Sequence, residues 1–259
     1  MSTKSLHSIQ NIKNALFAMP RGIPVTSGLL EEWGISRQLA HRYVQSGWLE
    51  PLGYGYFLRT GDTLTQTGAV VGLEMQGVAL HIGGKSALSL RGVGHYLAMG
   101  KGKLFLYGTT RSALPAWFAR QFSCEVRRGR LFREEADLEK RIYVRRLEQN
   151  ESFSPFVSEP ERALLEMLDD VPGKQSLDEA GKIMEPLYTL RSEVVQVLLE
   201  ACLKIKVKRL FFSLAEELRL PVLERLDLSH VDFGAPSVYV HSRKGGSLVL
   251  KHPRMKSNG

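Results

Sequence analysis

The side chains able to do chemistry in this 259-residue chain are concentrated between Ser36 and Arg59, and the chemistry they suggest is hydrogen bonding to a nucleic acid. Arg37, Gln38, His41, Arg42 and Gln45 recur at the spacing of one flank of an α-helix. None is acidic and each can donate a hydrogen bond; Arg and Gln carry the planar forks that read guanine and adenine edges. Ser36, just before them, is a residue type that caps helix N-termini, and Gly47 is the type that ends a helix in the left-handed conformation. Leu39, Ala40, Tyr43 and Val44 fall on the other flank, which would pack inward. After Gly47 the period changes: residues 49–52 and 56–58 are short apolar runs joined by Gly53-Tyr54-Gly55, the pattern of a hairpin. Tyr54, Tyr56 and Arg59, in and after that hairpin, would lie along the phosphate backbone or in a minor groove.

The elements that must position these residues precede them. A first helix over 8–18 carries Ile9, Ile12, Leu16 and Phe17 at helical spacing. A second opens at Val25-Thr26 with Leu29, Leu30 and Trp33 on its apolar side, and Gly34-Ile35 makes the turn into Ser36. Three short helices, a glycine turn before the third and a hairpin after it form the order of a winged helix-turn-helix over residues 1–60. The competing reading is an ordinary solvated helix face in a module that binds protein partners, its winged helix used for packing.

The remainder, residues 61–259, divides by pattern into a mixed region over 61–150 and a mainly helical part over 151–259. The predicted fold class is therefore α+β. In the middle region a helix over 63–78 is followed by strands over 79–82, 103–107, 122–127 and 142–147. Gly83-Gly84-Lys85-Ser86 invites a phosphate-loop reading, but Ala79 stands where that loop needs its first glycine; a glycine turn with Ser86 capping a short helix fits better. Ser158 with Glu161, and Ser176 with Glu179, match capping boxes, the first with Pro160 in the opening turn. Apolar helices over 192–203 and 207–220 follow, and strands within 237–251 form a closing hairpin around Arg243-Lys244-Gly245-Gly246.

Charge separates the same regions. The net charge of +8 is made of +3 over 1–60, +6 over 61–150, −6 over 151–240 and +5 over 241–259. The basic blocks suit a polyanion; the acidic block suits a solvated helical bundle or a basic protein partner. Arg127, Arg128, Arg130, Arg133, Arg141, Arg145 and Arg146 cluster closely enough to touch phosphates or to keep a sheet edge soluble. There is no run of 18 apolar residues and no signal-peptide pattern, so a soluble cytoplasmic protein without a membrane partner is expected. Cys124 and Cys202 are far apart; His81 and His95 have no metal spacing; Asp169-Asp170 reads as a solvated turn. No catalytic constellation, metal site or cofactor is expected, and the chain reads as a non-enzyme.

Four segments in this order resemble the AbiEi family of antitoxins and transcriptional regulators of bacterial type IV toxin–antitoxin systems: SRQLAHRYVQSGWLEPLGYGYFL, HIGGKSALSLRGV, SEPERALLEML and VKRLFFSLAEELRLPVLERLDLSHVDFG. The resemblance covers nearly the whole chain. It implies an N-terminal winged helix that binds inverted repeats in double-stranded DNA at its own promoter, and a C-terminal domain that neutralises a nucleotidyltransferase-like toxin without forming a stable complex with it.

Overall fold

The computed structural model describes residues 13, 16, 21–93, 102–108, 113–133, 138–148, 153–235, 237–241 and 247–253. The first expected helix, His95 and the turn of the closing hairpin lie outside them, apart from Lys13 and Leu16, which are helical. The fold is α+β. Its first compact unit comprises residues 1–81, 110–124 and 146–156; its second comprises 82–109, 125–145 and 157–259.

In the first unit the chain runs β1 (Val25–Thr26), α1 (Ser27–Glu32), α2 (Arg37–Gln45), β2 (Leu49–Gly53), β3 (Tyr56–Arg59) and α3 (Gln66–Met75). Val25-Thr26 leads into α1, as its sequence suggests, and is itself a short strand. The two residues pair antiparallel with Phe57 and Tyr56 as the edge of a sheet ordered β1-β3-β2. Thr26 also caps α1, its hydroxyl accepting the Leu29 N–H at 3.2 Å. Helices α1 and α2 both end in the same device. Gly34 and Gly47 take φ of +74° and +75°, which only glycine adopts freely. The amides three residues past each helix, Ile35 and Trp48, turn back to the carbonyls of Leu30 and Tyr43. Leu30, Ile35, Ala40, Tyr43 and Leu49 then share one buried core with Ile23, Val25 and Val71. Each fully buried Leu or Ile there stabilises the unit by roughly 2 kcal/mol.

This unit reaches past the expected boundary at residue 60, for packing reasons. The Thr65 hydroxyl caps α3 and donates to the Gly22 carbonyl, and Trp117 of α5 (Ala116–Gln121) lies so close over Gly53 of β2 that a side chain there would collide with it.

The second unit is built round a five-stranded sheet ordered β6-β5-β4-β8-β7, in which Ile82 and Val157 pair in parallel. Its strands are β4 (His81–Ile82), β5 (Leu104–Tyr107), β6 (Cys124–Arg127), β7 (Val144–Arg146) and β8 (Phe156–Ser158). Helices α4 (Gly84–Leu90), α6 (Pro160–Asp169), α7 (Leu177–Met184), α8 (Ser192–Ala201) and α9 (Ile205–Glu217) follow in chain order, and β9 (Ser237–His241) pairs antiparallel with β10 (Ser247–Lys251) as the expected closing hairpin.

Two expected caps are not caps. Ser86 lies inside α4, which starts at Gly84; its hydroxyl accepts the Phe105 N–H and bridges to β5. Ser158 belongs to β8 and donates at 2.8 Å to Glu166, while Glu161, its supposed partner, pairs with Arg191. Ser176 does cap α7, accepting the Glu179 N–H.

The centre of this unit is polar. Glu166, 1% exposed, accepts from the Gly84 amide at 3.0 Å, from Ser158, and from Arg162 Nε at 2.8 Å. Arg162 is itself buried, donates to the Ile142 carbonyl, and stacks over Phe132 at 4.7 Å. The Gly83-Gly84 amide thus serves an internal carboxylate. On α9, Arg209 is 1% exposed and delivers its guanidinium to the carbonyls of Phe233, Ala235 and Leu250.

Candidate nucleic-acid interface

Helix α2 carries the polar flank. Ser36 caps it by accepting the Leu39 N–H at 3.3 Å, so this hydroxyl is committed to the helix start. Arg37, Gln38, His41, Arg42 and Gln45 are all exposed, whereas Ala40 and Tyr43 on the inner flank are 4% exposed. The five donors form one surface strip because residues three and four apart stack along a helix. Three of them are steadied by neighbours. Gln45 Nε2 lies 3.3 Å from His41 Nε2, an i,i+4 contact along the strip. Arg37 Nε donates to Glu31 of α1 at 3.4 Å, leaving the terminal nitrogens of the guanidinium to point elsewhere.

The β2–β3 hairpin stands directly after α2. Gly55 turns it with φ +74°, and its carbonyl accepts the Ser27 N–H at the start of α1, which fixes the hairpin against the helices. Tyr54 at the tip is 97% exposed. It faces solvent beside Arg37 and His41 of the strip.

Tyr56 and Arg59 are placed differently. Alternation along β3 turns Tyr56 and Leu58 inward. Tyr56 is 6% exposed, its ring 4.9 Å from that of Trp117, and burial raises the pKa of its hydroxyl. Arg59 is held from both sides: Nη1 donates to the Leu16 carbonyl at 2.6 Å, and Nε donates to Asp62, whose almost fully buried carboxylate also forms an ion pair with Nη2 at 3.0 Å. Both residues build the scaffold that holds the hairpin.

Two residues near the strip escape a reading by helical wheel. Glu31 meets Arg37 across the turn between two helices, so no single-helix period shows the pair. Trp48 follows the terminating Gly47, remains 36% exposed, and has Lys13 Nζ 5.8 Å from its ring centre.

The arginine-rich block is mostly internal wiring. Arg127 is bonded to Asp170 at 2.7–3.1 Å and to Glu125. Arg127, with Lys174 and Lys103, holds the Glu125 carboxyl down to about 2. Arg141 is 2% exposed and donates to the Tyr107 carbonyl; Arg145 bonds the Arg141 and Val144 carbonyls. Arg146, in the first unit, donates to the Ser154 carbonyl and stacks on Phe156 at 4.4 Å. Arg128, Arg130 and Arg133 are exposed. The Asp169-Asp170 pair is not a solvated turn: Asp169 binds Lys204 at 2.5 Å, and Asp170 binds Arg127. Cys202 is buried and free, and its thiol is pushed up by burial. Among the described residues no group of three His, Cys, Asp or Glu is placed to hold a metal ion, and no helix is long and apolar enough to cross a membrane.

Two family models match the chain. Residues 8–99 match the model for the N-terminal domain of AbiEi antitoxin transcriptional regulators, and residues 101–253 match the model for the AbiEi antitoxin transcriptional regulator of type IV toxin–antitoxin systems. No curated protein matches. Among solved structures, the crystal structure of the RV2827C protein from Mycobacterium tuberculosis is similar over 84% of each chain, at 16% identity and a TM-score of 0.49.

Proposed function

The chain belongs to the family of AbiEi antitoxins and transcriptional regulators of type IV toxin–antitoxin systems, and from that premise we propose that it is a non-enzymatic, sequence-specific repressor of its own promoter and the antitoxin of a nucleotidyltransferase-like toxin, acting in the cytoplasm. The observation that carries the DNA-binding part is the exposed donor strip on α2 beside an exposed hairpin tip. In this reading residues 1–60 are a winged helix-turn-helix. Helix α2 enters the major groove, where Arg37, Gln38, His41, Arg42 and Gln45 meet base edges and phosphates, and Tyr54 meets the backbone or the adjacent minor groove. One such footprint is small, so inverted repeats bound by two copies supply the specificity. The antitoxin role falls to residues 61–259 and rests on family membership.

A gel-shift titration on the DNA upstream of the gene tests the strip. Losing one bidentate base contact costs about 1–3 kcal/mol, or about 5- to 150-fold in affinity. Gln38→Ala with Arg42→Ala should therefore weaken binding at least that much while circular dichroism stays unchanged; undiminished affinity refutes the assignment. Affinity should also fall steeply with added salt, as phosphate binding requires, whereas a packing module would show little salt dependence. Growth rescue on coexpression with a nucleotidyltransferase encoded beside this gene tests the antitoxin role.

A further inference from the structure

An open cavity of about 470 Å³ lies between α1, α2 and the turn of the β2–β3 hairpin. Its floor is apolar, made by Leu30, Ile35, Ala40, Val44 and Phe57. Arg37, His41 and Glu31 also line it, all three exposed. Such a floor suits DNA poorly: a phosphate or base edge set over aliphatic carbon loses water and gains no hydrogen bond. A hydrocarbon ring does gain there, and the volume lies within the range of about 300–1,000 Å³ typical of small-molecule sites. The rim narrows the ligand further. Arg37 is engaged only through Nε, and its two terminal nitrogens have no partner among the described residues. That free fork matches a carboxylate in geometry and charge. Glu31 carries the opposing charge at this rim, but it already faces Arg37.

We propose that this cavity binds a small aromatic carboxylate, ring on the apolar floor and carboxylate on Arg37, and that its occupancy expels DNA, because Arg37 and His41 cannot serve both ligands. The expulsion rests on the DNA-binding function proposed above; binding of the carboxylate does not.

The test uses the full chain and isothermal titration with 1-naphthoate and its neutral isostere 1-naphthalenemethanol. The expected result is saturable binding of 1-naphthoate that Arg37→Gln weakens at least tenfold, with the alcohol unaffected by that change. Ser27→Leu and Val44→Phe should each abolish binding of 1-naphthoate by filling the cavity. Two fillings are needed because Val44 also packs on the N-terminal core, while Ser27 stands at a helix start. Absence of saturable binding, equal affinity for acid and alcohol, or indifference to both well-folded fillings overturns the site. So does a dimer that either filling dissociates in sedimentation, since a second copy would then be the occupant. With a promoter duplex bound, 1-naphthoate should release the DNA. If it binds that complex with undiminished affinity, the competition is overturned; a protein that binds 1-naphthoate but never the duplex overturns the DNA-binding function instead.

Discussion

Removing the Glu166 side chain should be the most damaging single change to the second unit. Glu166→Ala takes the carboxylate from three donors: the Gly84 amide, the Ser158 hydroxyl and the Arg162 guanidinium. Arg162 is only 3% exposed and cannot turn to water. Stranding one member of a buried pair costs about 3–5 kcal/mol. Loss of the acceptor for Gly84 and Ser158 adds about 1–3 kcal/mol for each group left unsatisfied. The Ile142 carbonyl and the Phe132 ring still hold Arg162 and keep the total at the lower end of the sum, about 5 kcal/mol (about 3 for the stranded ion and about 1 for each unsatisfied group). That is a large part of a typical domain's stability. Urea unfolding followed by circular dichroism reads it directly. Arg162→Met with Glu166→Leu should recover part of the loss, since no charge is stranded, but not all, because Gly84 and Ser158 remain without an acceptor. A loss below about 1 kcal/mol for Glu166→Ala, or strict additivity of the two single changes, would refute the account of a coupled buried pair.

Two further outcomes follow from geometry in the first unit. Glu74 on α3 is buried; its carboxylate accepts the Phe156 amide at 2.9 Å and lies 3.8 Å from Arg146. Desolvation outweighs both favourable partners and raises its pKa from 4.5 to about 7. The folded protein therefore holds a proton that the unfolded chain releases, so this group's stabilisation is fully present below about 4.5 and is lost as pH rises through about 7. Its size is on the order of 3 kcal/mol. Glu74→Gln should remove that component, so that the difference in stability between wild type and variant changes steadily between pH 4.5 and 7 in denaturant titrations; a constant difference would contradict it. At the hairpin turn, Gly55 has φ +74°, and a side chain there would meet Ser27 Oγ at 3.2 Å. Gly55→Val should cost about 1–2 kcal/mol in a thermal melt, from the left-handed backbone alone, and should weaken promoter binding by displacing Tyr54.

What the sequence made readable was local. The cap, the donor strip and the terminating glycine of α2 lie within twelve residues, and all three appear where the pattern places them. Misreadings arose where a distant partner decided. The strand pairing of Thr26 went unseen because its partner, Tyr56, lies thirty positions away. Ser158 and Glu161 had the spacing of a capping box, but Glu166 and Arg191 offered each a better bond. Tyr56 seemed available to DNA because nothing nearby announces Trp117. The arginine block read as surface because carboxylates such as Asp170 come from the far side of the sequence. At the candidate interface the same rule holds: the strip on α2 was legible, while the Glu31–Arg37 contact and the cavity beside it need two helices and a hairpin to exist.

The clasp formed by Arg209 sets a limit on how the chain tolerates shortening. Its guanidinium is dressed by carbonyls that are synthesised 24, 26 and 41 residues later. Trimming from the C-terminus that removes Leu250 should therefore be costly, because a cation in the middle of α9 would lose part of its coat. A chain cut within β10 would leave that arginine, buried at the centre of the unit, partly uncovered.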